Sequence, residues 1–337
     1  MTEESDPPAN EGTAHRKNVL VLGATGTIGR AVVAELISRG HSVTCFVRPA
    51  GENGVRVENL SGAELRYGDV QDKAALRAVG FKDAQYDAVL SCLASRTGAP
   101  DDAWAIDYQA NLSALEIAVA AGVPHFVLLS AICVQMPLLT FQKAKLAFEE
   151  KLIQSGLIYS IVRPTAFFKS LSGQIDRLRQ GKPFLLFGDG SLTACKPISD
   201  GDLAKYLVDC LNQARLQNQV LPIGGPGPAI TPRDQGERLF ELLGKEPRYR
   251  KVPVAMMDAI IGFLSVLGNI SPAMMDKAEL ARIGRYYATE SMLVWDADKE
   301  RYDADATPSA GTETLFDFYE DLVAGRVTVD RGDHAVF

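Results

Sequence analysis

The sequence predicts an α/β protein: a Rossmann-type doubly wound parallel sheet carrying a smaller C-terminal α/β subdomain for a substrate. Three observations point there. A run of buried-strand type, Val19 to Leu22, leads straight into Gly23-Ala24-Thr25-Gly26-Thr27-Ile28-Gly29-Arg30, with a glycine at every third position before a helical pattern begins. Short apolar runs then alternate with helical stretches, the rhythm of βαβ units. At 337 residues the chain has room for one such domain and an appendage.

The glycine turn is the first element to justify. Gly23 and Gly26 suit a tight turn that lets a pyrophosphate approach the backbone, and Gly29 lets the helix pack against the strand. With Thr25, Thr27 and Ile28 between them, the N–H groups and positive dipole end of the new helix form an anion site. The strand–turn–helix setting makes this the expected dinucleotide site.

Helix one is expected over Thr27 to Arg39, stopped by Gly40. Strand two, Ser42 to Val47, delivers Arg48. Folds that prefer NAD place an acidic residue here for the ribose 2′-OH, whereas an arginine suits a 2′-phosphate. Arg48, with Arg30 as a second positive charge, therefore points to NADP(H). Strand three, Glu64 to Tyr67, ends in Gly68-Asp69-Val70. Asp69 either faces the adenine or caps the helix expected from Gln71. Strand four, Ala88 to Cys92, runs into Leu93-Ala94-Ser95, a small-residue turn suited to passing a cofactor. A helix over Trp104 to Ala121 follows, with Asn111 as a packing residue. Strand five, His125 to Leu129, ends at Ser130, and His125 reads as structural.

Composition narrows the function classes. The net charge of −7 and the lack of a Lys/Arg block exclude a general nucleic-acid binder. Five scattered cysteines lack metal-ligand spacing and read as buried thiols, so no metal is expected. No stretch reaches ~18 uninterrupted apolar residues, so no membrane span is expected. Residues 1–16 read as a disordered polar tail without signal-peptide character.

Ligands of open α/β sheets bind beyond the carboxyl ends of the strands, which places the chemistry after Ser130. Glycines spaced by three, a strand-five serine and a downstream lysine resemble the short-chain dehydrogenase/reductase superfamily. That superfamily usually pairs Tyr and Lys as Tyr-x-x-x-Lys. Here those positions are Phe141 and Lys145, an i, i+4 pair on one helix face. Phe141 has no proton to give. Lys145 keeps the role the resemblance implies, hydrogen bonding the nicotinamide ribose. The block Leu128-Leu129-Ser130-Ala131-Ile132-Cys133-Val134-Gln135, followed by Pro137-Leu138-Leu139-x-Phe141-Gln142-x-Ala144-Lys145-Leu146-x-Phe148-Glu149, is similar to the 3,8-divinyl (proto)chlorophyllide a 8-vinyl reductases, over about Lys17 to Trp295. These are atypical, NADPH-dependent superfamily members.

The resemblance implies reduction of an 8-vinyl group to ethyl on a chlorophyllide. No alkoxide forms in that reaction, which is consistent with Phe141. Lys145, Phe141, Gln142 and Ser130 are the expected catalytic set, with Gln142 as a positioner. Cys133, Gln135, Phe141, Phe167 and Phe168 are candidates for the substrate pocket; the last two equally suit a core. Two other readings stay open: a non-catalytic NADP(H)-binding regulator or photosynthetic-complex assembly factor, and an isoflavone-reductase-like enzyme.

Strand six, Leu157 to Val162, leaves through Arg163-Pro164, where Pro164 borders the cofactor. Gly188-Asp189-Gly190 reads as a hairpin turn. Ser199 to Asp202 starts a helix, Pro222 to Pro228 reads as a rigid loop, and Thr231-Pro232 as a helix N-cap and first residue. Val254 to Leu267, with Met274 and Met275 beyond it, is a lid, a shallow membrane contact or a plain subdomain core. The expected division is 17–165 for the NADP-binding domain, 166–300 for a partly interleaved substrate subdomain, and 301–337 for a C-terminal segment. Plant enzymes of this kind carry a transit peptide, so the polar start implies a cytoplasmic protein of a photosynthetic bacterium, in peripheral contact with its inner membrane.

Overall fold

The computed structural model describes residues 16–49, 60–268 and 270–328, so the expected tail lies almost wholly outside the described residues. The chain runs β1 (Asn18–Leu22), α1 (Thr27–Ser38), β2 (Ser42–Val47), β3 (Glu64–Tyr67), α2 (Lys73–Ala75), β4 (Ala88–Ser91), α3 (Pro100–Asp102), α4 (Asn111–Ala120), β5 (His125–Leu129), α5 (Thr140–Ile153) and β6 (Ile158–Pro164). It continues through α6 (Phe168–Leu171), α7 (Ile175–Arg179), β7 (Phe184–Phe187), α8 (Asp200–Asp209), β8 (Gln219–Ile223), α9 (Pro232–Leu242) and β9 (Tyr249–Val252). Last come α10 (Val254–Gly268), α11 (Pro272–Thr289), β10 (Val294–Asp296), β11 (Arg301–Asp303) and α12 (Leu315–Val323).

Seven strands form one parallel sheet in the order β3-β2-β1-β4-β5-β6-β8. Strand order reverses between β1 and β4, and the crevice beyond their carboxyl ends is the ligand position in such sheets. β1 shows why its residues are apolar throughout. Val19 and Val21 pack toward α1 and α8, whereas Leu20 and Leu22 pack toward α4 and α5. Both faces are covered, so alternation disappears from the sequence.

Pro222 lies inside β8, not in a loop, and the loop begins at Gly224. β8 pairs only with β6, and an edge strand tolerates a residue without an N–H. The expected hairpin at Gly188-Asp189-Gly190 is also corrected. The Asp189 carboxylate accepts the Ser191 N–H and hydroxyl, so the turn is there. However, β7 pairs in parallel with β9, more than sixty residues along, because the intervening segment supplies no adjacent strand.

Between α3 and α4 the helix passes through a π-helical stretch, Ala103–Ala110. The Asn111 amide donates to the carbonyls of both Ile106 and Asp107, at 3.2 Å each, which widens the turn. π-turns concentrate at functional sites. A third core cluster fills the C-terminal part, joining Phe168, Leu178, Phe184, Leu239, Tyr286 and Tyr319.

Candidate active site

β1 ends in a turn whose backbone admits no side chains at two points. Gly23 has φ +75°, and a Cβ there would lie 2.6 Å from the Cys92 carbonyl oxygen. A Cβ on Gly29 would lie 2.2 Å from the Gly23 carbonyl oxygen. Neither contact is sterically allowed, so glycine is required at both. Gly26 is the N-cap of α1, makes no side-chain cap, and no acidic residue occupies the first turn. The N–H groups at Thr27, Ile28 and Gly29 thus have no capping side chain, the condition under which a helix start can take an anion. The turn is closed by the Arg30 guanidinium, which donates to the Thr25 carbonyl at 2.7 Å. Arg30 thus braces the loop from below.

Arg48 is exposed at the carboxyl end of β2, and the exposed Asp69 and buried Val70 follow the neighbouring β3. Asp69 accepts the Gln71 N–H at 2.9 Å, whereas the cap of α2 is Asp72. Leu93, Ala94 and Ser95 leave β4 beside the glycine turn. Pro164 closes β6.

Lys145 lies on the inward face of α5, with its side chain 10% exposed, and its Nζ is 2.9 Å from Asp107 Oδ1, which is wholly buried. Asp107 also accepts the Ser95 N–H at 3.4 Å. One carboxylate thereby ties the cofactor loop to the lysine. The sequence reading missed Asp107. Its signal was an acid at helical spacing, four residues before Asn111. Asn111 itself accepts the Ser91 hydroxyl at 2.6 Å.

Several expected site residues have other occupations. Ser130 donates its hydroxyl to Glu149, which also holds the Arg163 guanidinium, so Ser130 belongs to a buried polar network one turn beyond Lys145. Gln142 is fully buried, and its Oε1 accepts the Leu139 N–H at 2.8 Å, closing the start of α5. Gln135 grips the backbone of the C-terminal segment, donating to the Leu293 carbonyl at 2.5 Å and accepting the Trp295 N–H at 2.9 Å. Phe168 is 4% exposed and stacks at 5.5 Å on Phe318. Gln142, Gln135 and Phe168 therefore build the frame, leaving Phe167 half-buried against the sheet core.

The Cys133 thiol is buried and raised by burial, and its carbonyl accepts the Tyr286 hydroxyl at 2.9 Å. Burial also pushes Cys92 up to about 12, although Lys145 pulls the other way. Both thiols stay protonated and are not nucleophiles. Phe141 packs at the start of α5 against the subdomain, near Gly98 and Ile283. There α11 docks onto α5, with Glu279 Oε1 accepting the Thr140 N–H at 3.1 Å. Among the described residues no group of His, Cys, Asp and Glu is arranged to hold a metal.

A family model described as NAD(P)H-binding matches residues 23–214, spanning the glycine turn, Lys145 and β6. Among solved structures, leucoanthocyanidin reductase from Vitis vinifera, in its binary complex with NADPH, superimposes with a TM-score of 0.66 at 15% identity, covering 91% of this chain and 99% of that one. That likeness establishes the fold. The chain is 50% identical over 335 residues to the divinyl chlorophyllide a 8-vinyl-reductase of Cucumis sativus, covering 95% of this chain and 80% of the relative. It is 49% identical to the enzyme of that name from Oryza sativa subsp. indica, covering 95% and 82%.

Both relatives are named chloroplastic plant enzymes, which overturns the expectation of a bacterial protein without a transit peptide. That expectation rested on the composition of residues 1–16, which carries no information about source or compartment. At about half identity over nearly its whole length, the chain belongs to the divinyl chlorophyllide a 8-vinyl-reductase family.

Proposed function

We propose that this protein reduces the 8-vinyl group of a divinyl chlorophyllide to ethyl, as an oxidoreductase acting on a CH–CH group with NADPH. The observation that carries the reading is the near-complete alignment with reductases of that name, on a chain whose Lys145 stands beside a turn built for a dinucleotide.

The residues present fit NADPH. Gly23 and Gly29 leave only backbone at the turn, the first-turn amides of α1 have no cap, and Arg48 suits a 2′-phosphate. Gly26, Thr27, Ile28 and Gly29 would hold the diphosphate, Asp69 and Val70 the adenine end, Leu93 to Ser95 and Pro164 the flanks, and Lys145 the nicotinamide ribose. When bound, NADPH supplies the hydride.

The rest of the chemistry falls to position. A vinyl group conjugated with the macrocycle accepts hydride at its terminal carbon, because the ring delocalises the charge that results. Protonation at the adjacent carbon completes the addition. No alkoxide develops, so the helix position that usually carries an acidic phenol is free to carry an apolar ring, Phe141. Buried Asp107 fixes the Lys145 ammonium and the Ser95 backbone together, which preorganises the ribose-binding side of the cleft. Phe141, packed in the same apolar cluster as Cys133, gives the substrate side its apolar character.

Peripheral membrane contact belongs to the same proposal. No helix among the described residues is long and apolar enough to cross a membrane. Yet α10 buries none of its residues, and Phe263 is 65% and Ile270 85% exposed. Arg248, Arg250 and Lys251 stand exposed just before that helix, and such a pairing favours an anionic lipid surface.

The activity is tested by incubating the protein with NADPH and divinyl chlorophyllide a in detergent, without oxygen. Monovinyl product is expected. Bound NADPH that is never consumed would instead favour a non-catalytic binder.

A further inference from the structure

The N-terminus of α1 is served by a cation that the glycine turn itself does not contain. Lys169 follows β6 on the short helix α6, and its Nζ donates to Oγ1 of Thr27, the first residue of α1, at 3.1 Å. The strap that carries it is fixed. Ile198 N–H donates to the Ala166 carbonyl at 2.9 Å, and Phe167 bridges Ile198 in parallel.

An ammonium has three N–H donors, and the threonine uses one. A hydroxyl that accepts from an ammonium keeps its own proton for a further acceptor. Lys169 and Thr27 together therefore present donors beside the uncapped first turn of α1, where no acidic residue competes. Behind them lies Asp200, whose Oδ1 is buried and has no hydrogen-bond partner among the described residues. Burial raises the Asp200 carboxyl, while Lys169 and Arg30 pull it back. The ammonium is thus held near α1 by attraction, without a salt-bridge partner within bonding distance among the described residues. It is free to meet an incoming anion.

We propose that Lys169 is a positioning residue for the dinucleotide diphosphate, gripping it together with the Thr27 hydroxyl. The proposal rests on the reading of α1's start as the NADPH site. It assigns the two cations to different phosphates: Arg48 to the 2′-phosphate at the edge of the sheet, Lys169 to the diphosphate at its switch point. No local pattern hints at this contact, because Lys169 lies 142 residues from Thr27.

The test is a set of dissociation constants, read by nucleotide fluorescence or calorimetry, for NADPH, NADH and adenosine 2′-monophosphate, which has no 5′-phosphate and so no part of the diphosphate. Lys169→Met is expected to weaken NADPH and NADH alike, by about tenfold, because a charge-assisted contact is lost from both. Adenosine 2′-monophosphate should bind the variant as it binds the parent, and Lys169→Arg should restore NADPH. Thr27→Val, which leaves the charge in place, covers the case in which Lys169→Met does not fold, and is expected to weaken NADPH and NADH together. Unchanged NADPH affinity in the variants would overturn the assignment. So would an equal loss for adenosine 2′-monophosphate, since a disturbed fold would produce it. Failure of the parent protein to bind NADPH would instead remove the reading on which the proposal rests.

Discussion

Lys145 and Asp107 are the residues on which the site turns. Both are buried and their charges compensate each other. Replacing Lys145 by Met leaves Asp107 as an uncompensated buried carboxylate, which costs about 3–5 kcal/mol of stability. Turnover should fall by about a hundredfold or more, since the proposed positioning contact to the ribose is lost as well. Adding Asp107→Asn should return much of the stability and none of the turnover. Denaturant midpoints alongside rates separate the two effects, and full recovery of rate in the double variant would contradict the role of Lys145. At this scale the sequence was half legible. Lys145, Phe141 and the glycines were visible because chain neighbours define them. The contacts of Gln135, Gln142 and Phe168 (the last read equally as core) were not legible, since their partners, Trp295, Leu139 and Phe318, are settled by the surrounding packing and not by type.

At the scale of elements, α11 matters more than its composition suggested. It contributes Glu279 to the first turn of α5 and Tyr286 to the loop after β5, so one helix holds both sides of the Phe141 position. A carboxylate at a helix start is favoured by the dipole, and here it also satisfies a backbone N–H. Glu279→Ala is expected to destabilise the protein by about 1–3 kcal/mol, because Thr140 N–H and Arg282 lose a partner. A shift of urea midpoint with unchanged slope would confirm it, and no shift would show that α11 docks by apolar contact alone. The strands of the main sheet were legible, β2, β3 and β5 to the residue, because buried parallel strands are short apolar runs between turn residues. The parallel β7–β9 pair was not, since pairing across sixty residues leaves no local pattern.

For the whole molecule, two apolar layers clamp the sheet, and a buried histidine sits in one of its central strands. His125 is pushed down to about 4, chiefly by burial and then by Lys17. The Ser160 hydroxyl donates to the Leu216 carbonyl, so the Ser160 oxygen accepts from His125 Nε2, at 3.2 Å, and the ring is neutral. Unfolding restores a value near 6.5. The unfolded chain then binds the extra proton, so stability contributed by His125 is present above pH ~6.5 and drains away toward pH 4, at ~1.4 kcal/mol per unit. His125→Gln should flatten that part of the profile, measured by denaturation at several pH values. An unchanged slope would show that carboxylates alone set the acid limit.

The central claim is that the cleft between the glycine turn and the Phe141–Lys145 helix brings a nicotinamide hydride to the terminal carbon of a conjugated vinyl group. The most direct test is turnover of divinyl chlorophyllide a with NADPH deuterated at the transferring position of C4. The account predicts one deuterium in the methyl group of the new ethyl substituent. Deuterium in the adjacent methylene, or an unlabelled product, would contradict it.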